Sequence, residues 1–145
     1  MLLKLSFQDY ISIKIHKTDL LLTGFIKSRL EPYNLAPEQN LIMMLLWERD
    51  GLTQNQMVQM LNKDKTNIAR MASNLEKKGF IKRSQSEEDK RVIQIFLTSE
   101  GKKLGDKIIP IAEQFNELVC KGLSEEELTE LERLLSKMSS NIQSE

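Results

Sequence analysis

Hydrophobic positions recur with a helical period through most of the chain. The first helical pattern covers residues 7–30, with apolar side chains at Phe7, Ile11, Ile15, Leu22, Phe25 and Ile26. Pro32 ends this pattern, and Pro37 suits the first turn of a second helix. The run LIMMLLW, up to Trp47, is apolar nearly all round, which predicts a helix buried in the core.

Two short helices separated by a sharp turn come next. Thr53 and Gln56 have the spacing of a capping box, in which each side chain pairs with an otherwise unsatisfied backbone N–H. Asn62 predicts the turn, because asparagine tolerates the left-handed backbone better than most residues. Asp64 is placed to cap the second short helix, which we expect over residues 64–78.

Strand-like sequence appears at Phe80-Ile81 and again at Val92–Leu97. The polar segment SQSEED between them is too long for a two-residue turn, so these residues predict a hairpin with an extended tip. The overall order is long helix, helix, short helix, turn, short helix, hairpin and two further helices. The fold class is therefore mainly α with a small β-hairpin, in outline a winged helix-turn-helix.

The last two helices carry more apolar surface than one small domain can bury. Thr98 caps the first, which we expect to reach about Lys121 and to kink at Pro110; Ser124 and Glu127 form a capping box for the second. The apolar positions are Ile108, Ile111, Phe115, Leu118 and Val119 on the first helix, and Leu128, Leu131, Leu134, Leu135, Met138 and Ile142 on the second. This pattern favours association between copies, with a purely intramolecular core as the alternative.

The composition is that of an ordinary globular chain. It has 145 residues, 40% hydrophobic and 29% charged, which suits one domain. No apolar run approaches the roughly 18–20 residues of a membrane span, and the N-terminus lacks a signal-peptide pattern. One cysteine, Cys120, fits a reducing compartment. We expect a cytoplasmic protein that does not enter a membrane.

Charge is distributed unevenly although the net charge is zero. Residues 61–91 contain nine Lys/Arg and five Asp/Glu, whereas residues 113–145 contain three Lys/Arg and eight Asp/Glu. A basic middle segment is typical of a chain whose partner there is a polyanion.

The helix over residues 64–78 has two chemically distinct faces. Ile68, Met71, Ala72 and Leu75 share one face, and the opposite face carries donors and cations without a carboxylate. Such side chains suit a major groove, where Asn pairs with adenine, Arg with guanine, and Ser or Thr with bases or phosphates. Because the N-terminal half of a recognition helix meets base edges, we predict base contacts from Thr66, Asn67 and Arg70, and backbone or groove-edge contacts from Lys65, Ser73, Asn74 and Lys77. Thr53 is a further candidate contact, and a solvated helix face is the alternative.

The hairpin tip carries a second set of candidate DNA contacts. If the strand extends that far, Asp89 and Arg91 lie on one face, and the carboxylate can orient the guanidinium group. An oriented Arg91 beside Lys90 suits the negative potential of a narrow minor groove. The alternative is a surface ion pair that contributes little.

Residues 52–104 resemble the core of the MarR family of bacterial winged-helix transcriptional regulators. The resemblance rests on Asp89-Lys90-Arg91 in the hairpin, LEKKG at Leu75–Gly79 and LTSEG at Leu97–Gly101, in that family's order and spacing. Two positions depart from the family pattern. Ser86-Glu87 replaces the usual Asp-Pro of the hairpin, which makes it more acidic, and Asn62 stands where Gly is common.

The resemblance implies a homodimeric, effector-responsive regulator, usually a repressor. Residues 1–145 would form one domain, with the DNA-binding lobe over 36–98 and dimerisation helices over 1–35 and 99–145. A two-fold dimer places its recognition helices about 34 Å apart, so the duplex operator should be near-palindromic. If the dimer neutralises about eight phosphates, the logarithm of affinity should fall with the logarithm of salt at a slope of about −7.

The resemblance also implies a small-molecule effector that changes the spacing of the lobes by binding one spacing better. Its site would be the crevice between dimer helices and lobe, where Tyr10, His16 and Trp47 are candidates, although a structural role is the commoner fate of such residues. The thiol-sensing members carry a cysteine near the start of the first helix. This chain has none there, and we expect Cys120 to be a buried, inert thiol.

Other function classes find little support. The chain shows no nucleophile–base pair, phosphate-binding loop or paired carboxylates, so we predict that it is not an enzyme. One His and one Cys do not make a metal site, and no cofactor is expected. A winged-helix scaffold that binds protein is the alternative, and the carboxylate-free face of residues 64–78 argues against it.

Overall fold

A computed structural model describes residues 3–145 of the chain. They form α1 (Ile11–Leu30), α2 (Pro37–Glu48), α3 (Gln54–Leu61), α4 (Lys65–Lys77), β1 (Ile81–Gln85), β2 (Ile93–Leu97), α5 (Ser99–Val119) and α6 (Glu125–Gln143). This order confirms the mainly helical fold with one antiparallel hairpin. The chain divides into two compact units, one ending at Ile111 and the other beginning at Ala112.

The predicted helix starts are confirmed by their capping hydrogen bonds. The side chains of Thr53, Asp64 and Ser124 accept from backbone N–H groups three residues on, at 3.1, 2.7 and 3.1 Å. Thr98 does the same for α5 at 3.0 Å. Asn62 adopts the left-handed backbone, with φ of 52°, so α4 leaves α3 through the predicted turn. These local rules fix where the helices of the helix-turn-helix begin.

Two predicted details differ from the structure. Residues Phe7–Asp9 form a 3-10 turn, and the long helix begins only at Ile11. Helix α5 contains Pro110 and continues to Val119, close to the predicted end, and the kink at Pro110 stays a prediction. Helix α2 is not buried all round, because Leu41 and Met44 are 42% and 41% exposed.

The hairpin is longer than predicted. Strand β1 extends to Gln85 because KRSQ pairs with β2, in a register that sets Ile81 opposite Leu97 and Gln85 opposite Ile93. Only Ile81 of β1 is buried, which removes the alternating signal that would have marked the strand. The segment before α3 lies along β2, where Gly51 N–H donates to the Ile95 carbonyl at 3.0 Å and Ile95 N–H donates to the Leu52 carbonyl at 2.8 Å.

The core of the first unit lies among α2, α3, α4 and the hairpin, and it also takes residues from α1 and α5. Ile108 is fully buried there, so the prediction that it belongs to an association surface is wrong. The core comprises Leu30, Leu35, Ile42, Met43, Leu46, Leu52, Met57, Ile68, Met71, Ala72, Leu75, Ile81, Ile95, Leu104 and Ile108.

Trp47 fixes the packing of α2 on α5. Its Nε1–H donates to the Gly101 carbonyl at 2.9 Å. A methyl group added at Gly105 would lie 2.9 Å from the same indole nitrogen, and one added at Gly101 would lie 2.0 Å from the Phe80 carbonyl oxygen. The two glycines therefore permit an approach that no larger residue allows.

The second unit contains the end of α5 and all of α6. Leu128 is half-buried, and the rest of α6 is exposed. Large apolar side chains are at least 37% exposed on this unit, at Leu118, Val119, Leu123, Leu131, Leu134, Leu135, Met138 and Ile142. The stripe predicted on the last helix is therefore open in the single chain.

Candidate nucleic-acid interface

Helix α4 places its predicted DNA contacts on the side away from the core. Ile68, Met71, Ala72 and Leu75 are at most 4% exposed and fix the rotation of the helix. Among the predicted contacts, Lys65, Thr66, Arg70, Asn74 and Lys77 are exposed, and Asn67 and Ser73 are half-buried at the edges. The burial pattern thus agrees with an open polar face on α4, although Ser73, which we expected on that face, is only partly accessible.

The start of α4 is held firmly against the rest of its unit. Asp64 caps the helix, and Lys63 forms an ion pair with Glu38 of α2 at 2.9 Å. A helix that presents side chains to bases must keep its register, since a shift of about 1 Å removes a hydrogen bond. These contacts hold the N-terminal turn, where Thr66 and Asn67 lie.

Arg70 and Asn67 are hydrogen-bonded to each other. Arg70 Nη2 donates to Asn67 Oδ1 at 2.8 Å, across one helical turn. From the sequence we predicted two separate base contacts, although their spacing of three residues already allowed this pairing. Asn67 therefore orients Arg70 before any partner binds, and the guanidinium group retains further donors.

The hairpin tip orients Arg91, but not through a strand as predicted. Residues 86–92 form the loop, so Asp89 and Arg91 lie in a turn. Asp89 Oδ1 accepts from the backbone N–H and Nε of Arg91 at 3.0 and 3.1 Å, and Oδ2 accepts from Nη2 at 3.2 Å. These hydrogen bonds from Arg91 lower the pKa of Asp89. The Arg91 side chain is still 90% exposed, and Lys90 beside it is exposed.

The base of the hairpin holds an ion pair that we did not predict from the sequence. Glu76, the one carboxylate within α4, accepts from the Arg83 backbone N–H at 3.0 Å, from its Nη2 at 3.0 Å and from its Nε at 3.3 Å. The backbone and side-chain hydrogen bonds from Arg83 lower the pKa of Glu76. The pair joins α4 to β1 and neutralises the carboxylate next to the candidate surface. Its signal was a lone Glu followed by an Arg seven residues on, across the turn into the strand.

Thr53 is the N-cap residue of α3 and does not belong to α4. Its hydroxyl accepts from Gln56 N–H, and its backbone bridges to Gln94 of β2. The side chain is half-buried and already serves as a helix cap. A DNA contact from Thr53 remains a prediction.

Comparison with known proteins identifies the family. The MarR family model matches residues 35–93. The organic hydroperoxide resistance transcriptional regulator of Bacillus subtilis is 30% identical over 107 residues, which span 74% of this chain and 73% of that protein. The chain belongs to the MarR family.

Solved structures agree with this MarR-family assignment. A MarR family transcriptional regulator from Listeria monocytogenes, solved with 26mer DNA, is 30% identical with a TM-score of 0.81, covering 92% of this chain and 89% of that one. The S. aureus MepR–DNA complex is 26% identical with a TM-score of 0.83, covering 95% and 99%. These likenesses confirm the winged-helix fold and the prediction that this MarR-family chain is a transcriptional regulator and not an enzyme.

The residues suggested for an effector do not converge in this MarR-family protein. Trp47 lines a cavity of about 470 Å³ with Asp50, Lys102, Asp106 and other residues, but its indole N–H is already bonded to Gly101. Tyr10 is half-buried and His16 exposed, and neither lines that cavity. The effector site stays a prediction, and Trp47 has a structural role.

Cys120 is half-buried, not buried as expected, with its Sγ 3.8 Å from Asn116 Oδ1. Over residues 3–145, no cluster of three or more His, Cys, Asp or Glu side chains is arranged to hold a metal ion. Nor does any helix within that range combine the length and apolar character needed to cross a membrane.

Proposed function

We propose that this MarR-family regulator is a cytoplasmic homodimer that binds near-palindromic duplex DNA through α4 and the hairpin tip. Base contacts come from Thr66, Asn67 and Arg70, and backbone contacts come from the remaining predicted residues of α4. Asp89 orients Arg91, which enters the adjacent minor groove with Lys90. The two relatives solved with DNA support a DNA partner.

The observation that carries the proposal is the charge of the open face of α4. Lys65, Arg70 and Lys77 are exposed there, and the single carboxylate of the helix is bound to Arg83. A surface that presents cations and amides without competing acceptors favours phosphate and base edges. A protein-binding scaffold would gain little from that arrangement.

Open apolar side chains support the homodimer. On α1, Ile11, Leu20 and Leu21 are 56%, 57% and 76% exposed, and α6 carries the open stripe already described. Apolar surface of this kind on a winged-helix chain favours a partner that covers it. In a dimer with one two-fold axis, each copy binds one half-site and the two half-sites are related by the same axis. The operator should therefore be near-palindromic.

Repression and relief by a small molecule complete the proposal, and both rest on the family resemblance. The relative from Bacillus subtilis is named for resistance to organic hydroperoxides. We do not extend oxidant sensing to this chain, because its one cysteine lies at position 120 and not near the first helix. The effector would act by binding one spacing of the two lobes better than the other.

Selection of bound sequences from random duplex DNA tests the central claim. The expected result is enrichment of a near-palindromic motif whose half-sites lie one helical turn apart. Replacing Arg70 and Arg91 together with Ala should abolish binding to the selected DNA while sedimentation still shows a dimer. Retention of binding by that double variant, or no enrichment with the wild-type protein, would refute DNA recognition through these residues. A reporter gene placed behind the selected operator then distinguishes repression from activation.

A further inference from the structure

Lys77 and Lys78 are neighbours at the end of α4, but their side chains have different environments. Lys77 is exposed on the candidate DNA surface. Lys78 is the C-cap residue of α4 and is half-buried. The Lys78 ammonium donates to the Asn34 carbonyl and to Gln39 Oε1, both at 2.8 Å. A lysine next to a DNA-binding surface is therefore directed to a different part of the chain.

The acceptors of Lys78 belong to the junction between α1 and α2. Asn34 follows the short turn at the end of α1 and has a left-handed backbone, with φ of 55°. Gln39 is 9% exposed in the first turn of α2, and its Oε1 also accepts from the Ala36 N–H at 3.2 Å. One amide oxygen thus holds both the start of α2 and the end of α4.

Placing the Lys78 ammonium in this contact costs desolvation free energy that a fully exposed lysine does not lose. Burial lowers the pKa of Lys78, and both of its acceptors are neutral groups. The two hydrogen bonds from the ammonium offset part of this desolvation cost and fix the position of the side chain. Their geometry connects α1, whose apolar face is open for a partner, with the helix proposed to meet DNA.

We propose that Lys78 is a positioning residue that ties the end of the recognition helix to the α1–α2 junction and thereby sets the half-site spacing that the dimer accepts. This role rests on the proposed function. Movement of α1 against a partner would reach α4 through Asn34 and Lys78. The tie limits that movement, so the dimer discriminates among operators whose half-sites differ in separation.

The test measures the affinity of the full-length protein for its selected operator and for versions with one base pair added or removed between the half-sites. The selectivity ratio is the affinity for native spacing divided by the affinity for altered spacing. Lys78→Met should lower this ratio by about three- to tenfold, which lies within the roughly two- to thirtyfold range expected when a coupling contact is lost. Lys78→Arg, which keeps the charge and the donors, should restore it.

Lys77→Met is the matched control. If Lys77 contacts a phosphate in each protomer, its loss should make the salt slope shallower by about 1.8 and leave the ratio unchanged. Lys78→Met should leave the slope unchanged. A shallower slope without a change in ratio would make Lys78 a phosphate contact and overturn the proposal. Equal weakening on all spacings would make it a purely structural residue and also overturn it.

Gln39→Glu provides a second variant that keeps the proposal testable if Lys78→Met does not fold. The carboxylate can accept the same hydrogen bonds and adds a charge opposite Lys78, which strengthens the tie. The selectivity ratio should therefore rise, and an unchanged ratio would contradict the role of Lys78. A wild-type protein without sequence preference would refute the proposed function itself. A selective wild type with an unaltered Lys78→Met ratio would refute only the positioning role.

Discussion

Helices α4 and α6 have similar amphipathic patterns but different surroundings. The apolar face of α4 is closed within its own unit, with Ile68 and Leu75 completely buried. On α6 the corresponding side chains are open, with Leu131 and Leu135 46% and 41% exposed. The pattern of a sequence thus shows that a helix has something to bury, but the partner is determined by the rest of the fold. That partner is the core of its own unit for α4. For α6 we propose that it is a second copy of the chain.

The largest expected effect comes from charging the open stripe of α6. Leu135→Arg would place an unpaired cation from each copy into the proposed dimer interface, which should weaken dimerisation by about a thousandfold. Operator binding should disappear with the dimer, because one lobe neutralises only half of the phosphates. Sedimentation and DNA binding measure the two losses.

Ser140→Arg is the control for this prediction. Ser140 is exposed and lies on the opposite side of α6 from the apolar stripe, so the same charge should leave the dimer intact. A dimer that survives Leu135→Arg would show that the α6 stripe is not the association surface. It would contradict the proposal that a second copy covers α6.

A second prediction compares matched truncations on the two helices. Leu75→Ala removes a fully buried side chain and should lower the free energy of unfolding by about 2–5 kcal/mol. Leu135→Ala should act mainly through the dimer. Its effect on the melting temperature should therefore depend on protein concentration, whereas the loss from Leu75→Ala should persist at every concentration. Thermal unfolding over a range of concentrations measures both, and equal behaviour of the two variants would contradict the comparison.

The parts of the fold that sequence reasoning predicted are those controlled by local chemistry. The caps at Thr53, Asp64 and Ser124 and the left-handed Asn62 follow from neighbouring residues alone. The polar half of β1 could not be predicted, because its conformation comes from pairing with β2 and not from its own alternation. The burial of Ile108 likewise depends on where α5 packs.

The candidate site follows the same division. The open face of α4 could be predicted from its helical wheel, since helix rotation is set by residues within the helix. The anchoring contacts could not: Glu76–Arg83 joins a helix to a strand, and Lys78 reaches Asn34 across 44 residues. Such contacts depend on tertiary geometry, which the spacing of residues along the chain suggests for Glu76 and Arg83 but does not define.

A third prediction compares Arg70, on the open face of α4, with an exposed arginine of α6. Arg70→Ala should reduce operator affinity by about 1–3 kcal/mol and relax preference at the base that Arg70 contacts. Arg133→Ala removes an exposed arginine of α6 and should leave operator affinity unchanged. Binding to the selected operator and to single-base variants measures both. Uniform weakening on all bases would assign Arg70 to the phosphate backbone instead.

The smallest expected effect is the pH dependence of the Glu76–Arg83 pair, compared with Glu130–Arg133 of α6. Hydrogen bonds from Arg83 lower the folded pKa of Glu76, so its stabilisation is complete above the unfolded value of about 4.3 and is lost as pH falls through the folded pKa. Because the Glu76 side chain is 38% exposed, we expect the pair to contribute at most about 1 kcal/mol at neutral pH.

The measurement is the difference in free energy of unfolding between wild type and Glu76→Gln. Both Glu76 oxygens accept from Arg83, and the amide introduced by this substitution has only one acceptor oxygen, so only the pH-dependent part of the difference reports the charge. Asp89, whose pKa is also lowered, titrates in both proteins and cancels. The difference should be constant near neutral pH and become smaller in acid, and a difference that grows on acidification would contradict the predicted role of this pair. Glu130→Gln should have a smaller effect, because its pair lies within one helix turn, whereas Glu76 joins α4 to β1.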